Sequence, residues 1–170
     1  MPENRVMNIL YKYRGFISAG LAFLLLLSPP AQKFEMLAIP LFVFSVSLRI
    51  WARMYIGTHS RGSELLAPQI VKSGPYYFFK HPLYLSNWLA GASFAILYSG
   101  FSEICLVFCL VYLVFLLLLA LKENSFLKEM QPAPQIDINE PRIIKSILSD
   151  KWTWLSQFFF IFLILVVKTL

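Results

Sequence analysis

Apolar positions along this chain come in long blocks, and the polar ones gather between them. Five blocks stand out, at approximately residues 16–29, 36–55, 83–98, 104–121 and 152–167. They show neither the strict alternation of a half-buried strand nor the narrow stripe of a soluble amphipathic helix. Their lengths approach the roughly 20 residues that a bilayer crossing requires, with flanking aromatics completing the shorter ones. The pattern predicts an all-α integral membrane protein of about five transmembrane helices, forming a single polytopic domain over residues 1–170. The first block ends in Ser28-Pro29-Pro30 and offers no small-x-small cleavage site, so it reads as a retained span, not a signal peptide.

Between the blocks the organisation is uneven. The connections at Pro29–Glu35 and Ser99–Glu103 are tight, which makes the first two spans one antiparallel hairpin and the third and fourth another. Polar content is concentrated in two longer loops, 57–82 and 122–151, and within the second the stretch Gln131–Arg142 carries three prolines and reads as an extended linker. The first fourteen residues mix Ile9, Leu10, Tyr11 and Tyr13 with Arg5, Lys12 and Arg14, as suits a short interfacial segment. Any site should lie where the two loops meet the ends of the second, third and fourth spans.

Composition and charge support this layout. Charged residues are 14% of the chain against roughly 25% in a soluble domain. Thirteen of the fifteen basic residues lie before the first span or in the two longer loops and their edges, leaving only Lys33 and Lys168 elsewhere. The positive-inside rule then puts the N-terminus and both loops in the cytoplasm and the C-terminus on the opposite side. Topology and anionic lipid account for the net charge of +6, so no nucleic-acid partner is implied. Cys105 and Cys109 lie one turn apart within a span, where small apolar packing explains them; with His59 and His81 they form no metal-ligand spacing.

Three places could carry chemistry. Arg49 and Arg53 are one helical turn apart with Trp51 between them; either both snorkel to the interface, or one turns inward to hold an anion. His81-Pro82 is the second. Proline holds the residue before it extended and can itself open a helix, whose unpaired N–H groups suit a carboxylate or phosphate. Gly74-Pro75 supplies a turn just ahead, and Tyr76, Lys80, Tyr84 and Trp88 would surround a ligand with a cation and aromatic faces. Glu123, directly after the fourth span, either pairs with Lys122 or Lys128, stays solvated, or receives a ribose hydroxyl or an amino group. No glycine-rich phosphate loop, serine elbow or paired-carboxylate spacing occurs.

The segment "GPYYFFKHPLYLSNWLAG" resembles the Gly-Pro-Tyr-x-x-x-Arg-His-Pro-x-Tyr-x-Gly signature of the isoprenylcysteine carboxyl methyltransferase and phospholipid methyltransferase superfamily. "SLRIWARMYIG" before it resembles that family's Leu-Arg-x-Trp-Ala segment, and "KENSFL" after it resembles Glu-Glu-x-x-Leu. The resemblance, over about Leu48–Leu127, implies an S-adenosylmethionine-dependent methyltransferase acting on a lipidic or prenylated acceptor reached from the bilayer, in a bacterial cytoplasmic membrane. It implies that Tyr76, Lys80, His81, Pro82, Tyr84, Glu123 and Asn124 bind the cofactor, with Arg49 and Glu123 acting in catalysis and Arg49 lying toward the acceptor. Three positions depart from the signature. Lys80 replaces an arginine and gives up its bidentate fork, Ser86 replaces a glycine, and Asn124 replaces a second glutamate. A second reading follows from them: a catalytically inactive relative that binds a lipid or a partner protein in the same pocket. A third is a nicotinamide-dependent reductase of a distantly related membrane fold.

Overall fold

The computed structural model describes residues 5–31, 36–56, 71–127, 144, 147–148 and 150–169. Its regular elements are α1 (Arg5–Lys12), α2 (Arg14–Leu26), α3 (Ala38–Ile56), α4 (Pro75–Phe78), α5 (Pro82–Ser99), α6 (Glu103–Leu127) and α7 (Lys151–Thr169). Helix satisfies every backbone group within the segment, as a chain surrounded by lipid must, and no strand occurs among the described residues. The proline-rich stretch 131–142, and 57–70 with His59, lie outside them.

Among the described residues three helices are long and apolar enough to cross a bilayer unaided: Ala38–Tyr55, Glu103–Ser125 and Lys151–Thr169. A fourth joins them if Val6–Lys12 and Arg14–Leu26, which meet at 75°, form one broken span. The break falls at Tyr13, whose φ of −100° and ψ of 15° leave the helical range. The expected third span corresponds to α5, which at 18 residues is about 27 Å long but carries Ser86, Asn87, Ser93 and Ser99. Its mixed composition follows from its place. Twelve of its 18 residues are buried, because α5 is the central helix, flanked by α2, α3, α6 and α7. A helix covered by protein needs no apolar face toward lipid.

Small residues let α3 and α5 approach closely, as is usual between membrane helices. Ser45 donates its hydroxyl to the Ser86 carbonyl at 2.8 Å, and Ser93 donates to the Ala38 carbonyl at 2.7 Å. At the far end of α5 the buried Tyr98 hydroxyl lies 2.9 Å from the Leu26 carbonyl and 2.6 Å from that of Ser28, sharing its proton between them. The Ala31 N–H donates back to the Tyr98 carbonyl at 2.8 Å. These bonds tie the proline-rich exit of α2 to α5. Accordingly α2 leans on α5 and α6 and does not lie along α3, so the expected first hairpin is a sequence neighbourhood without close packing among the described residues. The second hairpin, α5 with α6, is closely packed. Cys105 is buried in the core and Cys109 half-buried, both as free thiols.

Candidate functional site

The last turns of α3 and α6 meet the first turns of α5 and α7, with α1 and α4 alongside. Together they enclose a cavity of about 890 Å³, near the top of the roughly 300–1,000 Å³ usual for ligand pockets. Arg49, Tyr76, Lys80, His81, Pro82, Tyr84, Glu123 and Asn124, the residues singled out from sequence, all line it. Trp88 does not. It turns toward α6 and donates its indole N–H to the Cys109 carbonyl at 3.0 Å. Ser86 is also away from the cavity, fully buried in the α3–α5 contact.

The loop before α5 is shaped by its glycine and prolines. Gly74 has φ of +61°, a conformation that L side chains avoid, and a Cβ there would meet the Tyr55 ring at 2.5 Å. Pro75 follows as the first residue of α4, so the chain turns sharply over the end of α3. The turn sets Tyr76 against the cavity with its hydroxyl buried and without a hydrogen-bond partner among the described residues. That burial, aided by Glu123 and opposed by Arg53, pushes the phenol pKa well above its ordinary value. Gly74→Ala should destabilise the protein by about 1–3 kcal/mol. Thermal melting would show it, and an unchanged transition would mean that Tyr55 yields at no cost.

His81 takes φ of −132° and ψ of 66°, and Pro82 opens α5 behind it. The His81 ring bridges to α6: Nε2 lies 2.9 Å from Asn124 Oδ1, and Nδ1 lies 3.6 Å from Glu123 Oε2. An amide oxygen only accepts, so Nε2 carries the proton of this contact. Tyr84 sits beside the imidazole, with ring centres 5.6 Å apart. Glu123 faces the cavity, and Lys122 reaches Asn8 and lies over the Tyr11 ring; Lys128 lies outside the described residues.

Both arginines of α3 turn inward. Arg49 and Arg53 are 6% and 7% exposed, and each sets its Nε 2.8 Å from the same Asp150 oxygen. Arg49 further donates to Asn87 Oδ1 at 2.6 Å and to Thr153 Oγ1 at 3.2 Å. Asp150 is fully buried; burial alone would raise its carboxyl, but the two guanidinium groups outweigh that and hold it below the usual carboxylate range. Trp51, between the two arginines in sequence, stays partly exposed.

Asp150, Asn87 and Thr153 were not singled out from the sequence. Asp150 precedes the fifth block in the manner of a helix-starting acid. Its partners, however, lie 97 and 101 residues away, a separation that no local signal bridges.

The cavity has two chemically different parts. Toward the last turns of α3 and α6 five cations, Arg14, Arg49, Arg53, Lys72 and Lys80, line it with two carboxylates, Glu123 and Asp150. Farther along the helices the lining is mostly small or apolar, with Gly15, Ala19 and Ala22 of α2, Phe94 of α5, Phe108 of α6 and Phe160 of α7, and with Ser18 and Ser156 among them. Gln157 stands out there: it is 7% exposed, and its Oε1 is buried without a hydrogen-bond partner among the described residues. An unmet buried acceptor of this kind costs about 1–3 kcal/mol. No group of three metal-ligating side chains occurs among the described residues.

The family model described as "Isoprenylcysteine carboxyl methyltransferase (ICMT) family" matches residues 36–129, more than half of the chain. That range takes in α3 to α6 and all eight residues singled out from sequence, and it leaves out Asp150 and Gln157. No curated protein and no solved structure matches the chain.

Proposed function

The chain belongs to the isoprenylcysteine carboxyl methyltransferase family, and from that premise we propose that this integral membrane methyltransferase takes its methyl group from S-adenosylmethionine and passes it to a lipidic, anionic acceptor. The observation that carries the reading is the two-part cavity: a polar, cationic mouth continuous with an apolar interior that can hold a hydrocarbon chain.

The residues at the mouth fit the methyl donor. First-turn N–H groups of α5 and the Lys80 ammonium suit its carboxylate. The Glu123 carboxylate suits its amino or ribose groups. The rings of Tyr76, His81 and Tyr84 suit adenine or the sulfonium, and the unpartnered Tyr76 hydroxyl is a buried polar group that a ligand would satisfy. S-adenosylmethionine supplies a methyl group already activated on sulfur, so the protein's share is alignment and exclusion of water. His81, held by Asn124 and facing Glu123, fixes the end of α6 against the start of α5. Arg49, tied to Asp150, Asn87 and Thr153, presents a fixed positive charge for an anionic acceptor head. The excess of basic residues at this end of the helices supports a mouth facing the cytoplasm.

The inactive-relative reading draws on Lys80, Ser86 and Asn124, the three departures from the signature. Ser86 lies away from the cavity and Asn124 is bonded to His81, so Lys80 is the departure that bears most directly on ligand binding. Equilibrium binding of S-adenosylmethionine to the purified protein decides between the two. Saturable micromolar binding that weakens at least tenfold in His81→Ala supports the methyltransferase. No saturable binding by the intact, folded protein assigns the cavity to a lipid or a partner protein.

A further inference from the structure

Helix α7 buries only two of its nineteen residues, Gln157 and Ile164. They are seven apart, and Asp150 lies seven before Gln157, so all three lie on one face of the helix at two-turn intervals. The first of these positions carries the carboxylate that holds the two arginines, and the last an aliphatic side chain in the core. The middle one lines the cavity one turn before Phe160, where leucine or phenylalanine would be the ordinary choice. It is instead an amide whose oxygen is buried and unpaired.

We infer that Gln157 is a specificity-determining residue for the acceptor, reading a hydrogen-bond-donating group (a hydroxyl or an amide N–H) part-way along the acceptor's hydrocarbon chain. The inference rests on the lipidic, anionic acceptor proposed above and narrows it. An amide oxygen left unpaired in an apolar wall favours a ligand that supplies a donor at that depth and disfavours one that offers only methylenes. Two turns of α7 separate Gln157 from Asp150, about 10 Å along the axis, so an acceptor with its anionic head near Arg49 meets the amide at one particular stretch of its chain. A plain isoprenoid or saturated chain would leave the oxygen unmet.

The test uses the full-length protein in nanodiscs, with binding read from its tryptophan fluorescence. Trp152 lines the same cavity and serves as the reporter. The probes are octadecanoic acid and a set of hydroxyoctadecanoic acids with the hydroxyl moved along the chain. The expected result is a preference of roughly fivefold for one positional isomer over octadecanoic acid in the wild type. That preference should disappear in Gln157→Leu and in Gln157→Met, with melting temperatures at or above the wild-type value. No positional preference in the wild type would overturn the inference, as would one that persists in both variants; the latter result would mean that a trapped water or another side chain does the reading. S-adenosylmethionine binding is measured separately on the same samples. Its absence beside an intact hydroxyl preference removes the methyltransferase reading alone, and its presence without any preference removes this inference alone.

Discussion

Asp150→Ala is expected to destabilise the protein by about 3–5 kcal/mol and to lower methyl transfer with it. The size follows from what remains behind. Arg49 and Arg53 would stay buried at 6% and 7% exposure without the carboxylate that both contact at 2.8 Å. Removing one partner of a buried ion pair strands the other charge, and such losses fall in this range. The change also loosens the start of α7 from α3, because Thr153 contacts Arg49 within the same cluster, while the backbone N–H groups of Thr153 and Trp154 keep the carbonyl of residue 150 as their acceptor. Thermal melting in detergent checks the first part, and initial methylation rates the second. A transition within about two degrees of wild type would show that α7 is held by other means.

The same carboxyl has a pH signature. Its folded pKa is depressed, so its contribution is fully present above the unfolded value, about 3.9, and is lost as pH falls through the lower folded value. Stability owed to this cluster should therefore be constant from neutral pH to about pH 5 and decline only in stronger acid. A loss already under way between pH 7 and pH 5 would point to a different titrating group.

His81→Ala is expected to cut methyl transfer by about 100-fold or more while leaving the protein folded. The imidazole is the bridge between the start of α5 and the end of α6, through Asn124 at 2.9 Å and toward Glu123 at 3.6 Å. Without it Glu123 and Asn124 lose their fixed position relative to Tyr84 and the first turn of α5, and displacements on the scale of 1 Å can cost that much in rate. The structural loss is smaller, one hydrogen bond of about 1 kcal/mol, because Pro82 still opens the helix and α5 is gripped along its length by α3 and α6. Initial rates beside a melting curve separate the two effects. Normal turnover in the variant would remove His81 from the site.

Much of this arrangement was legible along the chain. Apolar blocks marked α3, α6 and α7 to within a few residues, since lipid contact imposes apolarity over a length that composition alone records. The His81-Pro82 pair marked the start of α5, because proline acts on its immediate neighbour and on its own helix turn. Gly74 marked the sharp turn before Tyr76, where backbone conformation demands a residue without Cβ. These are local effects, each contained within a few residues.

What was hidden is long-range. Trp88 has the same chemistry as a pocket aromatic, and only the packing of α5 on α6 turned it to Cys109 and out of the cavity. The central position of α5 could not be read from its residues, since burial by neighbouring helices, not lipid, is what permits its serines and Asn87. Arg49 and Arg53 were visible as a pair one turn apart, but whether they snorkelled or turned inward depended on a partner about a hundred residues away. By itself, then, the sequence determined a helical membrane protein, the family, and the residues lining the mouth, because span length, proline and glycine act locally. Only the tertiary structure decided that Asp150 neutralises the arginine pair and that Gln157 stands unpaired in the apolar wall, because both depend on which face α7 turns toward the other helices.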